Sequence, residues 1–155
     1  MKFAEFHAGQ AIEAGPYEVS EEEIVRFATA YDPQWFHTDA QAAKGGRFEG
    51  LIASGWHTCG IAMRLMVDNF LCRAASMGSP GLETLKWLKP VYPGDTLSLR
   101  HTIVESRPLR KRADVGLVQT TWEMFNQDGD KVLHMEGYGM FQRRTPDPTV
   151  LAREG

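Results

Sequence analysis

Asp32 and His37 are the residues of this sequence best suited to chemistry. They stand five positions apart in Tyr31-Asp32-Pro33-Gln34-Trp35-Phe36-His37-Thr38-Asp39. A carboxylate and an imidazole in one short segment can move protons to and from a bound water or substrate. The segment holds a proline and lies between two helical patterns, and loops fixed by rigid elements are where functional groups collect. Spacing alone leaves a second account open, in which Asp32 caps a turn and His37 is a surface residue. The next informative stretch is Ser54-Gly55-Trp56-His57. Ser54 suits an N-cap, and Gly55 lets a ligand approach the backbone. The first turn of a helix carries unpartnered N–H donors and the positive dipole end, so an oxyanion can rest there. A glycine needed only for packing would read the same way locally.

Arg107-Pro108-Leu109-Arg110-Lys111-Arg112 puts four cations in six residues between two expected strands. Such a run can hold the phosphates of a ligand, with arginine suited to bidentate contacts; it can equally be a solvated loop. Trp35, Phe36 and Trp56 flank the motif residues and read as pocket walls or core. His57, beside the Gly55 turn, is a candidate pocket residue. His101 falls on the apolar side of its strand and reads as core, while His7 and His134 show no ligand spacing. Cys59 and Cys72 are thirteen positions apart within one expected helix. At about 1.5 Å rise per residue they are roughly 20 Å apart, beyond the roughly 7 Å limit of a disulfide, and read as buried free thiols.

The elements that must position these groups follow from periodicity. An extended segment covers residues 10–19. Ser20-Glu21-Glu22-Glu23 is a capping-box pattern, and Val19 with Ile24 can form the accompanying staple. Ile24, Phe27, Ala28 and Tyr31 then recur at helical spacing, and Pro33 ends that helix at Asp32. A second helix is expected from Gly55 to Ala75, apolar nearly all round and therefore buried, with Arg64 and Asp68 paired along its wetter edge. After Gly81 the period drops to two: strands are expected over residues 82–91, 97–103, 115–125 and 131–141. Asn126-Gln127-Asp128-Gly129-Asp130 forms the last turn. Gly137 and Gly139 share the apolar face of the final strand, which suggests the long helix packing closely there. Helices followed by a run of antiparallel strands define an α+β domain.

The chain has 155 residues, 43% hydrophobic and 24% charged, with a net charge of −3. One domain of ordinary globular composition is expected over residues 1–142, with a loosely ordered tail from Arg143 to Gly155. The mild acidity leaves no footprint for nucleic acid. Arg64, Asp68 and Arg73 interrupt the longest apolar stretch well short of a membrane span. The first residues lack an apolar signal region, which points to the cytoplasm.

Asp32 and His37 at this spacing, Gly55 opening an apolar helix, and Leu88-Lys89-Pro90-Val91-Tyr92-Pro93-Gly94-Asp95-Thr96 together resemble the MaoC-like acyl dehydratases, which include the (R)-specific enoyl-CoA hydratases. The resemblance runs from about Phe6 to Gln142. It implies a single hotdog domain, an antiparallel curved sheet wrapped around one long buried helix. It also implies that Asp32 and His37 grip a water beside an enoyl double bond, and that the Gly55 N–H binds the thioester oxygen. Reversible hydration of 2-enoyl thioesters would need no metal or redox cofactor, coenzyme A entering only as part of the substrate. The family's commonest loop has Asp-x-Asn-Pro where this chain has Asp32-Pro33-Gln34-Trp35. Ser54 stands where hydratases often have histidine, and Met63 where some carry serine.

Two other functions remain open on the sequence: a hotdog thioesterase using Glu49 or Asp68, and a non-catalytic acyl-binding subunit. A lone curved sheet leaves open edges and an uncovered face, so at least a homodimer is expected.

Overall fold

The computed structural model describes residues 6–142; the expected tail from Arg143 lies outside the described residues. Strands β1 (Ala11–Glu18), β2 (Gly81–Trp87), β3 (Thr96–Leu109), β4 (Arg112–Phe125) and β5 (Lys131–Gln142) form one sheet in the order β1-β3-β4-β5-β2. Every neighbouring pair is antiparallel. Helices α1 (Glu21–Tyr31), α2 (Trp35–Thr38), α3 (Ala40–Ala43) and α4 (Gly55–Asn69) all lie between β1 and β2 in the chain. The α+β reading holds. No helix among the described residues is long and apolar enough to cross a membrane.

Ser20 caps α1, its hydroxyl accepting the Glu23 N–H at 3.1 Å, and Val19 and Ile24 are fully buried beside it. The returning half of the expected capping box is absent. The Glu23 carboxylate is turned away to Tyr17 and His57. α1 ends at Tyr31, as Pro33 requires.

α4 is shorter than its sequence pattern suggests. It stops at Asn69, and a single 3-10 turn over Leu71–Arg73 replaces the last expected turns. Phe70 leaves the helical backbone with φ −147° and buries its ring against Phe6 and Phe141. Core burial of an aromatic ring there outweighs continuing the helix. Ile61, Ala62, Leu65 and Met66 are buried, and together with Leu97, Leu99 and Ile103 of β3 and Leu133 and Met135 of β5 they belong to the hydrophobic core. Burial is not all round, however. Trp56, Met63 and Val67 remain 59%, 46% and 38% exposed, because one sheet can cover only one side of a helix. Leu82, Trp87 and Leu88, at and just beyond the β2 edge, are exposed as well.

The basic run is not a loop. β3 continues through Arg107 to Leu109 and β4 begins at Arg112, so Arg110 and Lys111 form a tight hairpin end. β2 stops at Trp87, short of the expected Val91. The Leu88 N–H still donates to Val132 O of β5 at 2.9 Å, but by Val91 the chain has left β5, and Val91 O accepts the Ala53 N–H at 2.8 Å. The close approaches at Gly137 and Gly139 also differ from expectation. A Cβ on Gly137 would lie 2.6 Å from Leu82 Cδ2, and one on Gly139 would lie 2.9 Å from the Phe141 ring. The crowding comes from the neighbouring strand and from β5 itself, not from α4. Cys59 is partly buried but Cys72 is exposed; both are free.

Candidate active site

The end of α1 supplies the acid. Asp32 caps the helix, its N–H donating to Ala28 O at 2.8 Å, and Pro33 then turns the chain so that α2 can start at Trp35. Both carboxylate oxygens of Asp32 are occupied. Oδ1 accepts from Gln34 Nε2 at 2.7 Å, and Oδ2 accepts from the Ser54 hydroxyl at 2.7 Å. Burial works against the ionised form. The Gln34 and Ser54 hydrogen bonds, with the His37 charge, outweigh it and hold the carboxyl below its ordinary value.

His37, on α2, is buried, with its Nδ1 2.7 Å from Ile52 O. A carbonyl only accepts, so Nδ1 carries the proton. Nε2 faces Asp32 Oδ2 at 3.3 Å. The Ile52 N–H donates in turn to Phe36 O at 3.1 Å, which holds in place the carbonyl that orients the imidazole. A water beside both Nε2 and Oδ2 would touch the two members of the pair at once.

Ser54 is the N-cap residue of α4 and fully buried, but its side chain makes no cap bond. Its hydroxyl is committed to Asp32, and the Gly55 N–H stands at the first position of α4, where Gly55 lines a cleft. Gly55 also serves packing. The Trp87 indole lies where a Cβ on residue 55 would sit. The packing account left open by the sequence therefore holds at this position.

Asp32, His37, Gly55, Trp56 and Trp87 line one cleft of about 520 Å³, with Arg47 and Lys89 also among its walls. Within the range of small-molecule sites, this is ample for a thioester. The other expected site residues are placed differently. Trp35 is 51% exposed and packs on Gly46, and Phe36 sits between His37 and Phe48, behind the imidazole. His57 points to the far side of α4, where it meets Glu23 at 2.8 Å and stacks on Phe27. Arg107, Arg110, Lys111 and Arg112 do not line the cleft of this chain, and Arg112 is paired with Asp114 at 2.7 Å. Glu49 is exposed and Asp68 is bound to Arg64, so neither offers a second carboxylate to the cleft. His101 is buried as expected, and burial lowers its pKa to about 4.

Gln34, Arg47, Lys89 and Trp87 were missed as site residues. Only Gln34 had a usable signal, since it is an amide two positions after the acid, as is the asparagine of the family's commonest loop. Trp87 comes from a strand distant in sequence, and nothing in its local pattern aims it at Gly55.

Replacing Ser54 by alanine removes a donor that favours the Asp32 carboxylate. Asp32 should then ionise at higher pH, and the acid limb of the rate–pH profile should move upward relative to wild type. A kcat/KM titration across the acid range checks the direction.

An antiparallel sheet curved over one long helix, with an acid–imidazole pair facing the helix N-terminus, defines a hotdog-fold protein of the dehydratase and hydratase class. The chain belongs to the MaoC-like domain family, whose model matches residues 3–123. It is similar to the MaoC-like dehydratase of Rhodospirillum rubrum, with 34% identity, a TM-score of 0.86 and coverage of 94% of this chain and 99% of that one. The R-hydratase PhaJ1 of Pseudomonas aeruginosa aligns with a TM-score of 0.76 at 26% identity, covering 92% of this chain and 86% of that one. The uncharacterized protein YdeM of Bacillus subtilis is 33% identical over 136 residues, 88% of this chain and 95% of that protein.

Proposed function

We propose that this protein catalyses the reversible addition of water to 2-enoyl thioesters, and hence the dehydration of 3-hydroxyacyl thioesters. The observation that carries the reading is the Asp32–His37 pair, 3.3 Å apart, in one cleft with the Gly55 turn. In the hydration direction Asp32 takes a proton from a water that His37 Nε2 also holds. The water oxygen bonds to the β carbon, and the double-bond electrons move to the thioester oxygen. The Gly55 N–H stabilises that enolate-like oxygen until a proton from the Asp32–His37 pair reaches the α carbon. The product has gained one H and one OH, and the pair ends in its starting state.

A second, mostly apolar cavity of about 510 Å³ lies between α4 and the sheet, lined by residues such as Met63, Met66, Leu85 and Trp122. Trp56 lines both this cavity and the cleft, which supports an acyl chain passing beside it. Arg47 supports a phosphate-bearing carrier, coenzyme A or an acyl carrier protein, whereas Lys89, also on the cleft wall, is paired with Asp130 at 3.0 Å. Loss of enoyl-CoA absorbance over a panel of chain lengths tests the reading. Free thiol release without hydration would point to a thioesterase instead, and tight binding without turnover to an acyl-binding subunit.

The exposed α4 stripe and the unpaired edge of β2 support a homodimer with sites near the interface. Wild-type protein should scatter light as a dimer at micromolar concentration. Met63→Arg, which puts a charge into the stripe, should shift it to monomer.

A further inference from the structure

We infer that His57 is a positioning residue for the Asp32–Gly55 site, gripped by Glu23 and Phe27 of α1 so that the first turn of α4 is held in register with the end of α1. The inference rests on the proposed hydratase reading for its kinetic consequence, though not for its geometry.

His57 lies two residues after Gly55 and three after Ser54, on the opposite side of α4 from the cleft. Its Nε2 is 2.8 Å from Glu23 Oε1, and its ring stacks on Phe27 at 4.8 Å and 11°. Its Nδ1 is buried without a partner, so the bond to Glu23 is the ring's one directional anchor. The Tyr17 hydroxyl donates to the same Glu23 oxygen at 2.6 Å, which ties β1 into the network. That bond raises the Tyr17 pKa to about 12 and keeps the hydroxyl protonated.

The choice of partner by Glu23 is informative. A glutamate at the third position of a Ser-capped helix would ordinarily return to the cap N–H. Here that bond is given up in favour of two contacts outside the helix. α1 therefore meets the start of α4 at two places, Glu23 and Phe27 on His57, and Asp32 on Ser54. Glu23 and Asp32 are nine positions apart on α1, roughly 13.5 Å, and Ser54 and His57 three positions apart on α4, roughly 4.5 Å, at about 1.5 Å per residue. One attachment would let the start of α4 pivot; the second fixes the setting of its first turn, which carries Gly55. The acid sits on one helix and the oxyanion donor on the other, so their mutual geometry depends on that setting. A shift near 1 Å in such a constellation can cost about 10²-fold in rate.

The test compares His57→Ala, His57→Gln and Glu23→Ala with wild type by steady-state kinetics on enoyl-CoA and by amide and imidazole NMR. His57→Ala should lower kcat by roughly 10- to 100-fold with a much smaller change in KM. It should also move the resonances of the Gly55 amide and the His37 ring. His57→Gln, whose amide can still donate to Glu23, should recover most of the loss. If His57→Ala does not fold, Glu23→Ala, on the partly exposed side of the bond, removes the acceptor and should lower kcat and move the same resonances. Folded variants with unmoved Gly55 and His37 resonances and wild-type kcat overturn the inference. Absence of wild-type turnover would instead remove the hydratase reading, and the resonance shifts would still decide whether His57 positions the site.

Discussion

Asp32→Asn is expected to lower kcat for enoyl-thioester hydration by about 10³-fold, within the 10²–10⁴ range of a lost general base. The substitution keeps the size of the side chain and removes its charge and its ability to take a proton. It also leaves one of two donors short, because Gln34 Nε2 and the Ser54 hydroxyl each need an acceptor and asparagine offers a single oxygen. The stability cost of that mismatch is about 1–3 kcal/mol, too small to unfold an ordinary domain. A folded variant with almost no turnover is therefore the expected outcome. His37→Ala should fall into the same range, since Nε2 faces the same water position. Near-wild-type turnover in both variants would sink the mechanism. Measuring thiol release alongside shows whether any residual reaction is hydrolysis.

Gly55→Ala keeps the backbone N–H but is expected to lower kcat by up to about 10²–10³-fold, the range of a lost oxyanion donor, because the new methyl pushes the turn that aims that donor out of place. The new methyl enters space held by the Trp87 indole, which itself packs edge-on against Trp56 at 5.1 Å. Either Trp87 or the first turn of α4 must shift, at an overpacking cost of about 1–3 kcal/mol. A thermal melt reads the stability part and steady-state kinetics reads the rest. Adding Trp87→Ala separates the two roles of the glycine. The double variant should regain stability because the methyl has room. If Gly55→Ala instead melts at lower temperature yet keeps wild-type turnover, the placement of the Gly55 N–H does not matter to the reaction and the oxyanion assignment fails.

The candidate site was legible in the sequence where the chemistry is local. Asp32, Pro33 and His37 lie in one segment, and Pro33 alone sets the end of α1 next to the acid. Gly55 was legible as a helix start for the same reason. The partners that tune these groups were not. Ser54 looked like a helix cap, and the structure gives its hydroxyl to Asp32, twenty-two residues away. Glu23 looked like half of a capping box and is spent on His57, thirty-four residues away. In both cases a local bond and a distant one compete for the same polar atom, and local pattern registers only the first. The basic run from Arg107 to Arg112 misled in another way. Its composition suited a loop, but register with β4 extends β3 through Arg107 and Pro108, and the hairpin carries these cations elsewhere than the cleft of this chain.

By itself the sequence determined the α+β order of elements, the strand faces of β3, the ends of α1 and the acid–imidazole spacing. Each depends on neighbours within a few residues, through sterics, capping or alternation. Tertiary structure decided which side of α4 is covered, where α4 ends, which atoms share the Asp32 carboxylate, and which side of α4 His57 faces. Those outcomes turn on contacts between segments far apart in the chain, whose relative placement is fixed only when the sheet closes over the helix.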